Sequence, residues 1–438
     1  MKTNVVAPLI FLALGALAHA QVQGANSSTP PSFGFTLPSV GGTLTYALSG
    51  SESVSTGYGN GGVDSTTALS GDLAYLSTSR SKPFSLVYSG GYLYTFIPGY
   101  PSSSTYQNLA FSQVVKTKVW TFVVDDAVSY LPQSPTTGLS GIPGLGDIGV
   151  EPVQLGDEPA QSILTNYASR VGNGLNGGVT RQITRSTFIN GSASWQVLRF
   201  LGNQGINSTE ESGTVGPSYR IDARSSLGAD ATYNYTTDQY QGSNFDFTSE
   251  GLTFYYKRQW SHAISMSIAL GPQRTYGSNA TALLIPSQIN LIANVGLTYT
   301  RKITSVGLSY SRATNSGSGV VYGALTDDVA INVQQQFMRN WQVALTGSYI
   351  RSSSLTGSYI RSSSLAQIAA INTVTQGIYG GVQASRKINR SLSGYFSYTT
   401  ITQSVNDTAA TPNVFSGLSQ VIAVGLTYSP VAIHSDHF

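Results

Sequence analysis

Residues 288–312 read QINLIANVGLTYTRKITSVGLSYSR, and this stretch decides the fold. Its odd positions Leu291, Ala293, Val295, Leu297 and Tyr299 are apolar or aromatic, with Asn294, Gly296 and Thr298 between them. After the basic turn Arg301-Lys302-Ile303-Thr304, Val306, Leu308 and Tyr310 alternate with Gly307, Ser309 and Ser311. Period-two alternation sends the two sets of side chains to opposite faces of a strand. Sustained over about ten residues and ended by an aromatic and a cation, it is the pattern of a strand crossing a bilayer in a closed barrel. Soluble sheets alternate too, but they rarely repeat one such hairpin along a whole chain, as this sequence does.

The beginning of the chain sets the compartment. Lys2, the apolar run Val5 to Leu17 and the small-x-small site Ala18-His19-Ala20 read as a secretory signal peptide over residues 1–20. The run is too short to cross a membrane as a helix. There is no cysteine, so neither a lipid anchor nor a disulfide nor a thiolate metal site is available. Only 10% of residues are charged, against about 25% in ordinary soluble proteins. Glycine (47) and tyrosine (26) are abundant, and no later apolar run approaches the ~18 residues of a spanning helix. These properties exclude a helical membrane protein and suit a barrel with lipid outside and water inside. A net charge of +3 gives no reason to expect nucleic acid as a partner.

Residues 21–40 are rich in Pro, Ser and Asn and read as a flexible periplasmic leader, residues 41–430 as the barrel, and 431–438 as a C-terminal tail. Short basic turns are expected near 80–83, 116–118, 181–185, 221–225, 257–262, 301–304, 338–340 and 386–390. They imply nine hairpins and an antiparallel transmembrane β-barrel of about eighteen strands, or sixteen if weak stretches such as 209–221 fail to form. Trp120, Trp260, Tyr299, Tyr310, Phe337, Trp341 and Tyr428 lie beside these turns, where an interfacial aromatic girdle belongs. The plain strand preference of aromatics is the alternative. LTGSYIRSSS occurs at 345–354 and again at 355–364, a local duplication of the kind a loop tip tolerates.

The last strand contains Val424-Gly425-Leu426-Thr427-Tyr428, and the chain ends in Phe438. Gly425, Tyr428 and Phe438 are similar to the C-terminal assembly signal of outer-membrane barrels, although Ser429 to His437 intervene before the final aromatic. With the signal peptide and the repeated hairpins, the chain resembles Gram-negative outer-membrane β-barrels of the porin-like kind. Gln107-Asn108-Leu109-Ala110 and Ser129-Tyr130-Leu131-Pro132 are similar to segments of uncharacterised acidobacterial barrels. The resemblance implies the outer membrane as location, with lipid and lipopolysaccharide around the barrel and the barrel assembly machinery as partner. It leaves a homo-trimer open.

A barrel of sixteen to eighteen strands is generally too wide for its side chains to fill. The expected function is therefore a water-filled channel for passive diffusion of small hydrophilic solutes, with no cofactor. Its rival is a plugged barrel serving structure or surface interaction. In porins the third outer loop commonly folds inward. Here segment 131–160 holds that position and carries Asp147, Glu151, Asp157 and Glu158 with no Lys or Arg. It is the candidate constriction, facing a basic wall of Arg199, Arg220, Arg274 and Arg312, with a solvated flap as the alternative.

Enzymatic readings fare poorly. In Asp125-Asp126 and Asp327-Asp328, neighbouring strand residues face opposite ways, so neither pair forms a shared carboxylate site. Asp126 has the lipid-facing parity of Trp120, Phe122 and Val124, which requires either a place near the outer interface or a bulge. His434-Ser435-Asp436-His437 sits on a tail that preorganises no metal site. The other mature histidine, His262, falls in a turn on the periplasmic side, away from any outer-mouth triad.

Overall fold

The computed structural model describes residues 42–57, 62–77, 79, 81–96, 102–131, 169–202, 205–240, 242–277, 285, 287–316, 321–355, 374–406, 414–430 and 433–434. The first nine strands are β1 (Gly42–Thr56), β2 (Val63–Ser77), β3 (Phe84–Phe96), β4 (Ser102–Lys116), β5 (Trp120–Leu131), β6 (Arg170–Gln182), β7 (Thr187–Phe200), β8 (Asn207–Arg220) and β9 (Ser225–Tyr240). The rest are β10 (Ser243–Gln259), β11 (Ile264–Gly277), β12 (Gln288–Thr300), β13 (Thr304–Asn315), β14 (Ala324–Phe337), β15 (Trp341–Ser354), β16 (Val374–Lys387), β17 (Leu392–Val405) and β18 (Gly417–Tyr428). Each pairs antiparallel with its sequence neighbours, and β18 returns to pair with β1 from Leu48↔Tyr428 to Thr56↔Gln420. The result is a closed eighteen-stranded antiparallel barrel.

Closure is reinforced at the seam. The inward hydroxyls of Ser49 and Thr427, paired in register, lie 2.8 Å apart and share a hydrogen bond. Beyond Tyr428, Pro430 has no N–H to give, and the ladder resumes one residue out of step in a two-residue strand, Ile433–His434, opposite Leu44 and Thr43. Part of the expected tail therefore continues the seam, because β1 offers backbone groups that must find partners. Phe438, the signal peptide and the leader lie outside the described residues.

All eight short connections fall where the basic turns stand in the sequence. Six share one device. Ser79, Thr117, Thr184, Asp222, Ser261 and Asn389 each accept backbone N–H bonds from residues two or three places ahead, which closes the turn with a side chain. The weak stretch 209–221 does form β8. Its ladder to β9 breaks between Val215↔Ala231 and Ser218↔Gly228, around Gly216-Pro217, while its ladder to β7 is continuous. Proline supplies no donor there, and this explains the faint sequence signal.

Within each strand the large exposed apolar side chains keep one parity. On β12 they are Ile289, Leu291 and Leu297; on β18 they are Leu418, Ile422, Val424, Leu426 and Tyr428. This apolar parity is the outward face, and small polar residues occupy the other. Inward aromatics also pack on inward glycines. The Tyr395 ring covers Gly425 so closely that a Cβ there would meet it at 2.5 Å. We expect Gly425→Val to displace Tyr395 and destabilise the seam by about 1–3 kcal/mol. The compact band of unheated protein on a denaturing gel should then be lost at lower urea than in wild type, and an unchanged midpoint would refute this account of the glycine.

Candidate functional site: the outer mouth of the lumen

The long-loop end of the barrel is organised by the β13–β14 hairpin. The β12–β13 ladder stops at Ala293↔Arg312, whereas β13 and β14 stay paired to Asn315↔Ala324. Freed from β12, the hairpin tip leans into the lumen, and Thr314 donates a 2.8 Å hydrogen bond to Gln273, an inward residue of β11. The tip then delivers Val321, Tyr322 and Gly323 across the mouth. On one side the Tyr322 ring lies tilted against Phe245 of β10, 4.1 Å between centroids, and Phe247 packs with Ile285 and Leu355. On the other side Val321 and Ala324 pack with Val414 and Val405.

Burial inside the barrel follows this architecture. Towards the outer end the inward residues Leu198, Phe247, Thr275, Ala324 and Ser352 are fully enclosed. Hydroxyl pairs such as Ser249 with Thr275 and Thr326 with Ser352 seal the polar remainder. Towards the short-turn end the inward face of β7 to β15 is open, with Ser192, Asn294, Thr298 and Ser309 exposed. One arc of wall stays covered through its height, as Ala47, Ser89, Tyr106, Ser112 and Ala127 on β1 to β5 are buried. Among the described residues the inward face is thus polar, with an apolar cluster at its long-loop end.

Gly323 is the position the throat depends on. Its φ of 65° lies in the left-handed region, and a Cβ would stand 3.1 Å from both Leu355 and the Phe247 ring. Leu355 in turn donates its backbone N–H to the Gly323 carbonyl at 3.1 Å. Leu355 opens the second copy of LTGSYIRSSS, and its counterpart Leu345 faces outward on β15. The duplication has therefore supplied the throat with a buried residue.

The expected site residues are distributed differently from the sequence reading. Asp147, Glu151, Asp157 and Glu158 lie outside the described residues. Three members of the expected basic wall do not face the lumen. Arg199 shares the outward parity of Ile189 and Trp195 and donates to the Ser208 carbonyl and the Thr209 hydroxyl. Arg274 stacks over Tyr276 on the face of Leu270. Arg312 pairs with Asp327 at 3.1 Å, where Tyr310 also donates to the same carboxylate. Near strand ends polar and apolar residues occupy the outward face alike, so composition there conceals parity. Arg220 does face inward, at the end of β8, stacked over Phe188.

Of the residues expected in an aromatic girdle, Trp120, Trp260, Tyr299, Phe337, Trp341 and Tyr428 sit at or next to the short-turn ends of their strands. Arg181 and Arg386 lie over Trp120 and Trp341, their register partners. Tyr310 is placed differently. It sits mid-strand in β13, held by Asp327. Asp125 and Asp328 face inward and Asp126 and Asp327 outward, so both acidic pairs are split as adjacency requires. The ladders on either side of Asp126 are unbroken and Asn173 donates to it at 2.8 Å, so no bulge turns it inward.

The fold is a closed eighteen-stranded antiparallel barrel. Solved structures with which it aligns include OccK7 (OpdD) of Pseudomonas aeruginosa, at a TM-score of 0.42 and 11% identity over 90% of this chain and 98% of that one. OccK2 (OpdF) of the same organism aligns at 0.41 and 10% over 90% and 98%. The FrpB iron transporter of Neisseria meningitidis aligns at 0.43 and 9% over 90% and 81%. No protein-family model and no curated protein matches the sequence.

The throat yields a direct expectation. A side chain at Gly323 must leave the left-handed region, at about 1–2 kcal/mol, or push the tip away from Phe247. Gly323→Val should therefore loosen the tip and speed the entry of a neutral sugar into proteoliposomes in a swelling assay. An unchanged rate would show that this tip does not limit the passage.

Proposed function

We propose that the protein is an outer-membrane channel for passive diffusion of small hydrophilic solutes. The observation that carries this reading is the contrast between the two faces of β7 to β15. The outward parity is apolar, while the inward parity is small, polar and open over its inner part. Ser192, Asn294, Thr298 and Ser309 would solvate a passing solute without gripping it. Segment 131–160 is the proposed second constriction, since Asp147, Glu151, Asp157 and Glu158 bring negative charge with no Lys or Arg among them. Gly425, Tyr428 and Phe438 are proposed as the residues read by the assembly machinery.

A second reading has its own support. The apolar packing of Val321, Phe247, Ile285 and Leu355 across the mouth is what a plugged surface barrel would also show. Single-channel recording of the refolded mature protein in a planar bilayer separates the two. Constant conductance steps are expected, and Asp147→Asn or Glu151→Gln should alter ion selectivity without abolishing them. Silence from protein that shows the folded band on a gel would favour the plugged barrel.

A further inference from the structure

The short-turn end of the barrel is basic all the way round. Each short connection carries a Lys or Arg within it or within two residues of it, as Lys82, Lys118, Arg185, Arg224, Arg301 and Arg390 do. Asp222 is the one carboxylate in the same positions among the described residues. Short turns of transmembrane barrels face the periplasm, which puts this ring of cations beside the headgroups of the inner leaflet. On the outward face three of its arginines lie over aromatic rings. Arg181 stands 5.0 Å from the centroid of Trp120, Arg301 stands 6.0 Å from that of Tyr299, and Arg386 stands 5.3 Å from that of Trp341.

The last of these pairs differs from the first in what stands beside it. Next to Arg181 the register partner on β7 is Ile189, and Phe122 stacks on Trp120 at 5.8 Å, so large side chains fill the outward face there. Next to Arg386 the partner on β17 is Gly394, followed along the row by Leu426 on β18 and Gly50 on β1. The two glycines and Ala384 leave a groove of about 580 Å³, which runs from Trp341 and Arg386 across β17 and the β1–β18 seam to Glu52. Ile388, Phe396 and Leu426 also line it, each about half exposed. The two ends differ in charge satisfaction. Glu52 accepts from the Ser65 and Thr67 hydroxyls, both at 2.7 Å, whereas no carboxylate among the described residues reaches Arg386 at ion-pair distance.

We propose that this groove is a binding site for an anionic phospholipid of the inner leaflet. Its phosphate meets the guanidinium of Arg386, and one acyl chain lies over Gly394, Ala384 and Gly50. A guanidinium presents its N–H donors in a planar fork that matches phosphate oxygens, and stacking on Trp341 holds that fork in place. The acyl chain fills an apolar recess and gains dispersion contacts that a void would forfeit. An anionic headgroup is favoured over a zwitterionic one because the adjoining turns add Arg339 and Arg390 with no acid to oppose them. A second copy of the chain suits the groove less well. Two copies in one membrane carry their basic rims at the same height, so the partner would bring cations to Arg386. The inference concerns the outer wall and holds whether or not the lumen conducts.

The test is native mass spectrometry of the refolded mature protein given equal amounts of phosphatidylglycerol and phosphatidylcholine. Wild type is expected to retain a single phosphatidylglycerol, several-fold in preference to phosphatidylcholine, and excess inorganic phosphate should not displace it. Arg386→Gln should remove the preference. Gly394→Phe, which fills the groove from the outward face, should remove the bound lipid. Arg181→Gln, at the stacked pair without a groove, should leave both unchanged, and the folded gel band controls for assembly. Equal retention of the two lipids by wild type overturns the inference, as does displacement by phosphate. So does an equal loss in Arg181→Gln and Arg386→Gln, which would mark a diffuse attraction to the whole rim. A preference that survives both Arg386→Gln and Gly394→Phe overturns it too. An oligomer that Gly394→Phe dissolves, with no lipid retained by wild type, would give the groove to a second copy instead.

Discussion

In hydrocarbon a backbone N–H or C=O without a partner costs several kcal/mol, and no water is present to supply one. Everything in this molecule depends on the β1–β18 ladder that answers this constraint. Without it, the pairs from Leu48↔Tyr428 to Thr56↔Gln420 would leave two open edges facing lipid. The short strand at Ile433–His434 extends the same answer towards the periplasmic side. Closure also makes one face of every strand convex and lipid-bound and the other concave and wet. The division of chemistry between apolar exterior and polar lumen follows from it.

The strand lengths give this division a second use. Strands run from 12 to 17 residues, beyond the roughly 9–11 that a bilayer crossing requires. The surplus lies at the long-loop end. There the outward face turns polar: Glu52 accepts from Ser65 and Thr67, Glu250 from Tyr276, and Asp327 from Arg312 and Tyr310. Such pairs suit headgroup depth or above, where a charge is affordable. The extension also gives the β13–β14 hairpin room to leave the wall and enter the lumen. A throat built of Val321, Phe247, Ile285 and Leu355 is thus a consequence of strands longer than the membrane is thick.

Much of this was legible in the sequence. Period-two alternation located strands such as β3 and β13 to the residue, because lipid on one side and water on the other leave few exceptions in mid-strand. The turns were legible as basic, though closing side chains such as Thr184, Asp222, Ser261 and Asn389 look in the sequence like any other polar turn residue. The site was far less legible. Arg199, Arg274 and Arg312 stand at strand ends, where alternation fades and parity must be counted inward from the core of the strand. The throat did leave a signal. Val320-Val321-Tyr322 follows a Ser/Gly run, and three consecutive apolar residues in an outer loop are out of place in water.

The inward acids show what a pattern can and cannot carry. Adjacent acids such as Asp125-Asp126 reveal that one member must face the lumen, yet not what surrounds it. That depends on register with strands distant in sequence. Asp238 shares its environment with a hairpin tip some eighty-five residues later in the chain, and only closure and the inward lean of β13 bring them together. A charge on this wall therefore gains its meaning from topology. Position in the strand fixes its face, the ladder fixes its height, and the tip decides whether water reaches it.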